Sequence, residues 1–405
     1  MTLNLRHLRA FLAVADNGGV TAAAKRLLRA QSAVTRAVHE LEVDLGISLF
    51  ERSARGMRMT VYGQALARRT RRAAEELAQA RADMERFCGK GLPAALAPIF
   101  TMQTGERRLH AFVALLELRS MPEVARRLQI SQPAVSAGLR ELEDSLEVRL
   151  FERTPRGLFP VPAARALGTR VRLALSELRH AEEEIALLRG VAAGHTRVGV
   201  LALSRAGILM PRAIARVMHR YPGVRVTLQE GAFATQEEAL RAGELDFVFG
   251  ALREFPRDSE LAGEPLLIDR LSVLARVGHP LERRRPLAWR ELQEYPWVLN
   301  RPGTPGRERL EAAFRSRGLA GPRVNVETGS LAMTRAMLLE SDCLTALSPH
   351  QFEHELRAKL LARLPYDLPE TERSLGLIRR RGAVLPPSAE RVVAALREVV
   401  QEGDT

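Results

Sequence analysis

The 405-residue chain is poor in lysine and in cysteine. Lysine occurs only at Lys25, Lys90 and Lys359, so almost every basic side chain is an arginine. The two cysteines, Cys88 and Cys343, lie far apart and in no metal-ligand or C-x-x-C spacing. That argues against a disulfide framework, a zinc site and a switch built from two neighbouring thiols. No run of about 18 apolar residues occurs, so no membrane span is expected. Met1 to Ala15 carries Arg6 and Arg9 and no long apolar run, so no signal peptide is apparent. Neither a Walker loop nor G-x-G-x-x-G is present. His279 sits in a His-Pro turn, and the His350-x-x-x-His354 pair has no third ligand in view, so a solvated helix face accounts for it. These gaps lead us to expect no catalytic residue, no metal, no cofactor and a cytoplasmic location.

What is abundant is arginine and ordinary apolar residues. The formal net charge is +13 and 46% of the chain is apolar. Positive charge favours a polyanionic partner, although arginine richness alone also follows from codon composition. Its distribution is more telling, because residues 1–90 hold 16 basic against 9 acidic side chains, the steepest excess along the chain. The length exceeds what one core usually serves, so two or three domains are expected.

A shift of 101 residues lays the N-terminal segment on the next one. Phe11 falls on Phe112, Gln31 on Gln132, Glu40-Leu41-Glu42 on Glu141-Leu142-Glu143, and Leu49-Phe50-Glu51-Arg52 on Leu150-Phe151-Glu152-Arg153. The first 190 or so residues are therefore a tandem duplication. Within copy one, apolar residues form three helical stripes: Leu8, Phe11, Leu12 and Ala15; Ala23, Ala24 and Leu27; Val34, Val38, Leu41 and Leu45. A short polar turn before the third stripe gives a helix-turn-helix layout, whose last helix enters the major groove. A basic turn follows, Glu51 to Thr60 in copy one and Glu152 to Val161 in copy two, suited to a β-ribbon wing against phosphates. A three-helix bundle that merely packs has the same periodicity.

These residues resemble the LysR-type transcriptional regulators. Copy two reads Ser131-Gln132-Pro133-Ala134-Val135-Ser136, then Leu142-Glu143-x-x-Leu146 and Leu150-Phe151-x-Arg153. Copy one departs from the pattern at Ala30 and Ser32, and copy two at Glu147, Phe159, Val161 and Ala164. Most of the family carry one such unit, so the duplication is itself a departure. The helix-turn-helix geometry makes Gln31, Ser32, Thr35 and Arg36, and Gln132, Pro133, Ser136 and Arg140, the expected base-facing positions. Arg52, Arg55 and Arg58, and Arg153 and Arg156, are the expected wing contacts. Copy one is expected to add phosphate affinity, while copy two either contacts DNA as well or serves mainly as scaffold. An amphipathic helix follows each copy, from about Gly63 to Phe87 and from about Ala163 to Leu188; in the family the corresponding helix pairs two subunits.

From about residue 196, short β-rich runs alternate with helical ones, which implies an α/β fold with largely parallel sheets. Strands are expected at 196–201, 224–228, 245–250, 271–275, 297–299, 323–327, 343–347 and 374–379, with a last helix near 388–400. Glu230-Gly231, Leu240-x-x-Gly243-Glu244-Leu245-Asp246-Phe247 and Gly278-His279-Pro280-Leu281 resemble the family's effector domain. That resemblance implies a two-lobed, periplasmic-binding-protein-like fold with the ligand between the lobes. Finer details, such as Gly303-Thr304-x-x-Arg307, resemble the galactose-binding-protein regulator subfamily. Crevices beyond strand carboxyl ends then nominate Ser204, Arg205, Phe233, Arg301, Gly303 and Thr304 as effector contacts. For Ser204 an ordinary N-cap is an equal alternative.

The expected organisation is a winged helix-turn-helix unit at 1–62, a linker helix and break at 63–104, a second unit at 105–162, a linker and dimerisation helix with hinge at 163–194, and an effector-binding domain at 195–405. The expected function is promoter or operator binding to double-stranded DNA, modulated by a small-molecule effector, in a homo-oligomer (dimer or tetramer) that contacts RNA polymerase. A non-specific nucleoid scaffold explains the charge and the repeat but leaves the α/β half idle. An enzyme comes third.

Overall fold

The computed structural model describes residues 3–53, 56–88, 97–155, 157–191, 193–283, 288–366 and 368–403. The chain forms two compact units, Met1–Val191 and Ala192–Thr405.

In the first unit, the three apolar stripes of copy one become α1 (Leu5–Asn17), α2 (Val20–Leu27) and α3 (Gln31–Leu45). A two-stranded antiparallel wing follows, β1 (Phe50–Ser53) with β2 (Gly56–Met59), and then the long α4 (Val61–Cys88). Copy two repeats the order: α5 (Glu106–Leu118), α6 (Met121–Leu128), α7 (Gln132–Leu146), β3 (Phe151–Thr154) with β4 (Gly157–Pro160), and α8 (Pro162–Leu188). Leu8, Phe11, Val34, Leu41 and Leu49, and their repeats Leu109, Phe112, Val135, Leu142 and Leu150, lie in one continuous core. Each such side chain contributes about 1.5–3 kcal/mol by leaving water. Phe11 meets Phe50 at 5.4 Å and Phe112 meets Phe151 at 6.1 Å, so each wing is pinned to its own first helix.

The repeated Leu-Glu motif acquires a structural reason. Glu42 Oε1 accepts the backbone N–H of Leu49 at 2.7 Å, and Glu143 Oε1 accepts that of Leu150 at 2.8 Å. Each carboxylate thereby satisfies the strand entry that no ladder serves. The departures noted in sequence are visible as well. Ser131 Oγ caps α7 by accepting the Ala134 N–H at 3.3 Å, whereas Ala30 leaves α3 without a side-chain cap. Glu147 takes the left-handed backbone, φ 55°, that Gly46 adopts in copy one at φ 64°. A side chain there is strained, and glycine is not.

α4 and α8 lie against each other, joined by ion pairs whose partners run in opposite directions. Arg68 reaches Glu184 at 2.6 Å while Arg72 reaches Glu177 at 3.4 Å. Between them Arg69, with no solvent exposure, donates to Glu177 at 2.9 Å and to Glu184 at 2.7 Å. Arg170 makes the matching bonds, to Glu76 at 2.8 Å and Asp83 at 2.5 Å. The helices are therefore antiparallel.

In the second unit, β5 (Ala193–Leu201), α9 (Ala206–Arg220), β6 (Gly223–Gly231), α10 (Phe233–Arg241), β7 (Phe247–Ala251) and β8 (Leu261–Asp269) open the first lobe. The chain then crosses to a second lobe: β9 (Ser272–Arg276), β10 (Trp297–Leu299), α11 (Pro305–Arg315), β11 (Val324–Glu327), α12 (Leu331–Glu340), β12 (Thr345–Leu347), α13 (Glu353–Arg357) and β13 (Leu361–Arg363). It returns as β14 (Arg373–Arg380) and α14 (Pro387–Gly403). The first sheet has the order β6-β5-β7-β14-β8; α9 and α14 cover one face and α10 packs on β5 and β7. In the second lobe β12-β9-β13 is antiparallel, β10 pairs with β11 in parallel, and a Trp297–Leu344 bridge links the two.

The sheets are thus mixed rather than largely parallel, because β14 runs antiparallel to both β7 and β8. β8 and β13 fall outside the strands expected from sequence. β8 contains Gly263 and Pro265 and resembles a loop in sequence, yet it is the sheet's edge strand, where proline is tolerated. β13 is only three residues long.

Arg69→Ala should leave Glu184 and Glu177 with only the more exposed Arg68 and Arg72 as partners and cost up to about 3–5 kcal/mol in urea unfolding. The triple change Arg69→Met, Glu177→Leu, Glu184→Leu, which removes the charges together, should restore most of that stability. Equal losses in both proteins would contradict this account of the interface.

Candidate nucleic-acid interface and ligand cleft

The third helix of each copy exposes the positions nominated from sequence. On α3, Gln31, Ser32, Thr35 and Arg36 all face solvent. Thr35 Oγ1 donates to the Gln31 carbonyl at 3.0 Å, and Arg36 bonds Glu40 at 2.7 Å, which in turn meets His7 at 3.2 Å. Glu40 holds the Arg36 guanidinium above its ordinary value through their hydrogen bond, and Arg36 in turn lowers the Glu40 carboxyl. Arg58 is exposed on β2. The Arg52 side chain and Arg55 lie outside the described residues, as does Arg156 of copy two.

Copy two gathers its nominated residues around one open groove of about 1080 Å³. Gln132, Pro133, Ser136 and Arg140 of α7 form one wall and Arg153 of β3 another. Arg140 donates to Ser136 Oγ at 3.1 Å, so its guanidinium lies along the helix face. Arg119 was not foreseen: it sits at the groove's rim with its guanidinium 5.2 Å from the centre of the Phe159 ring. Phe159, an apolar departure in the wing, thus serves as a platform for a basic side chain.

The second site is a cleft of about 620 Å³ between the two lobes of the second unit. Its wall is built from chain just beyond strand carboxyl ends: Leu201–Leu203 after β5, Glu230–Ala232 at β6, Arg253 after β7, Leu299–Arg301 at β10, and Gly329–Ala332 after β11. The N-termini of α10, α11 and α12 begin at this wall, so three positive helix ends meet there. Of the nominated residues, Phe233, Arg301 and Thr304 line the cleft. Ser204, Arg205 and Gly303 are not part of its wall. Ser204 Oγ donates to the Leu201 carbonyl at 2.7 Å and accepts the Ala206 N–H at 3.4 Å, the ordinary turn role. Arg205 is buried at the start of α9, and Gly303 is an exposed left-handed turn, φ 75°.

Arginine defines the chemistry of this wall. Arg253 lies 3.9 Å above the Phe233 ring, and burial pulls its guanidinium below the ordinary value. Arg373, a buried side chain on β14, lines the cleft while bonding Asp269 at 3.0 Å and the Leu203 carbonyl at 3.2 Å. Arg307 bridges Glu327 at 3.6 Å. Glu230, Asn300 and Ser330 add to the polar lining, with Ser330 Oγ accepting the Met333 N–H at 3.2 Å. Arg253 was legible in principle as a basic residue just beyond a strand; Arg373 was not, because it reaches the cleft from a strand far along the chain.

His279 also finds its place away from the cleft. Its ring lies 4.6 Å from Tyr295, Nδ1 accepts the Leu281 N–H at 3.1 Å, and Nε2–H therefore points to the Asp342 carbonyl at 3.3 Å. Both nitrogens serve a neutral ring, and burial lowers its pKa. Such a histidine contributes stability that is complete above about pH 6.5 and is lost as pH falls toward the depressed value. Urea unfolding at pH 7.5 and 5.5 should show a loss in the parent protein that His279→Asn reduces; the same loss in both would exclude His279 as its source.

Comparison with known proteins agrees with this geometry. Residues 5–64 and 107–165 each match the bacterial regulatory helix-turn-helix protein, lysR family, and residues 189–401 match the LysR substrate binding domain. The chain is 42% identical over 404 residues to the HTH-type transcriptional regulator GalR of Pseudomonas putida, covering 98% of both proteins. It is 30% identical over 292 residues to the regulator GbpR of Azospirillum brasilense, covering 72% of this chain and 85% of that one. Among solved structures, full-length OxyR of Pseudomonas aeruginosa has a TM-score of 0.56 at 21% identity over 74% of this chain and 95% of its own. Full-length CbnR in complex with target DNA has a TM-score of 0.52 at 21% identity over 73% of this chain and all of its own. With a twice-matched helix-turn-helix region, a matched substrate-binding region and a relative alike from end to end, the chain belongs to the LysR family of bacterial transcriptional regulators.

Proposed function

We propose that the chain binds double-stranded promoter or operator DNA through α3 and α7 with their wings, and that a small anionic effector in the interlobe cleft modulates this binding. The observation that carries the DNA half is the copy-two groove, where Gln132, Ser136 and Arg140 on α7 open toward the same space as Arg153 on the wing. Gln and Arg are the side chains that pair bidentately with adenine and guanine edges, while a wing arginine suits phosphate. GalR of Pseudomonas putida is a named transcriptional regulator and matches this chain across its whole length. In this reading the chain works as a homo-oligomer in the cytoplasm, with residues 1–62 and 105–162 as DNA-binding units and 195–405 as the effector domain.

The cleft binds rather than catalyses in this reading. Its polar groups are the arginines, three helix N-termini, the Asn300 amide, the Ser330 and Thr304 hydroxyls and one carboxylate, Glu230. The arginines and helix ends outweigh that single negative charge and favour a carboxylate. Arg253 in particular is half-buried, and an arriving anion would compensate its lost hydration.

The direct test is a genome-wide map of sites occupied by the tagged full chain in its native cells. A few strong peaks sharing a motif support the regulator, whereas diffuse occupancy favours a scaffold. In vitro, Arg58→Ala with Arg153→Ala should weaken binding and reduce the slope of log K against log salt by about 0.9 for each phosphate left without its arginine. An unchanged slope would remove these arginines from the interface. For the cleft, thermal shift with a panel of small aliphatic and aromatic carboxylates should give at least one stabilising ligand whose effect Arg253→Leu abolishes. Stabilisation only by neutral sugars would refute the anionic class.

A further inference from the structure

We infer that the N-terminal unit is a pseudo-dimer made within a single chain, and that one chain reads a composite DNA site of two unlike half-sites about one helical turn apart. The inference rests on the DNA-binding reading above and adds to it the stoichiometry of the reading unit and the asymmetry of its target.

The ion pairs between α4 and α8 obey a two-fold relation. The repeat shift of 101 residues carries Arg69, Glu76 and Asp83 onto Arg170, Glu177 and Glu184. Arg69 bonds Glu177 and Glu184, and Arg170 bonds Glu76 and Asp83, so each contact recurs with the two copies exchanged. That reciprocity is the signature of an isologous interface. The apolar stripe agrees: Leu66, Ala73, Leu77, Ala80 and Met84 of α4 and their shifted counterparts Leu167, Ala174, Leu178, Ala181 and Ile185 of α8 are all buried in one core. Each helix thus spends its pairing face on the other copy of the same chain.

The dyad also positions the heads. α4 starts directly after one wing and α8 directly after the other, so antiparallel pairing carries the two heads to opposite ends of the helix pair. Arg189, just beyond α8, donates to the Leu45 carbonyl of the first head at 3.4 Å, which places that end of α8 beside the start of α4. α4 has 28 residues, so the two points of attachment are roughly 40 Å apart along the helices at 1.5 Å per residue. One turn of B-DNA is about 34–36 Å. Two heads so spaced fit successive major grooves on one side of a duplex.

The heads share a scaffold but not a reading face. Under the same shift Gln31 matches Gln132, whereas Arg36 matches Ala137 and His39 matches Arg140, and these four differing positions all reach solvent. An arginine near the start of one recognition helix and another one turn later in the second contact different base pairs. The half-sites are therefore unlike, and the chain has a fixed direction on its site.

The test is selection of bound sequences by the full-length protein from a random duplex library, repeated with Arg36→Ala and with Arg140→Ala. The expected outcome is a composite motif of two unlike halves about 10 base pairs apart, alone or as inverted copies of the whole composite. Arg36→Ala should relax base preference about tenfold in one half only, and Arg140→Ala in the other half only. An inverted repeat of one identical half-site, or both variants relaxing the same positions, would overturn the inference while leaving DNA recognition intact. No enriched sequence would overturn sequence-specific recognition itself, and the inference with it.

Discussion

The N-terminal architecture depends on a guanidinium that water does not reach. Arg69 lies between two carboxylates of the facing helix, and both partners are nearly as buried as it is. Buried ion pairs stabilise little in net terms, because desolvation offsets most of the attraction. They are strict about geometry, however, since a slipped register leaves charges unpaired in a medium that cannot solvate them. Arg170 with Glu76 and Asp83 repeats the demand in a part-buried setting, so the register is specified at two places along the helices. Apolar stripes alone, rich in alanine, tolerate sliding by a turn; the charges do not.

From that register the asymmetry of the heads acquires meaning. What the copies share is scaffolding: Phe11 and Phe112, Glu42 and Glu143, Leu49 and Leu150 pin helix to wing in the same way twice. What they do not share lies at helix ends and on exposed faces. Ser131 caps α7 while α3 goes uncapped, and Glu147 accepts a strained backbone that Gly46 adopts freely. The copies are held to one fold by their cores and are unlike where they meet solvent.

Much of this was legible in the sequence because it depends on local period. The 101-residue repeat, the three stripes per copy and the exposed start of the recognition helix all follow from spacing alone. The partner of each linker helix did not follow, since an amphipathic stripe shows that a face is covered and not by what. Nothing in the sequence sets Arg69, Glu177 and Glu184 apart from other charged residues of the linker helices; only the fold buries them. In the second unit, local signals found most strands and missed the short β13 and β8, where an edge position excuses Pro265. They nominated Ser204, which its own turn satisfies, and missed Arg373, which the return crossing from the second lobe delivers to the cleft.

That return crossing gives the cleft its mechanical interest. The chain passes between lobes at Asp269 to Ser272 and again at Thr371 to Arg373, and Asp269 and Arg373 join the two passages by a buried ion pair. Arg373 commits Nε and Nη2 to Asp269 and Nη2 also to Leu203, at 3.2 Å and 3.0 Å for the carboxylate and 3.2 Å for the carbonyl. Its remaining nitrogen, Nη1, lies 2.9 Å from where a β-carbon on Gly306 would stand. A β-carbon at 306 would press on that nitrogen, so the glycine in the first turn of α11 gives the guanidinium room. The guanidinium has a fixed fork of donors, so a cleft anion bonded at Nη1 and the carboxylate at the lobe crossing would act on one rigid group. A ligand changes a conformational equilibrium only through contacts that differ between the states. Arg373 both lines the cleft and ties the two lobe crossings together, so a cleft contact and the lobe crossing converge on one group.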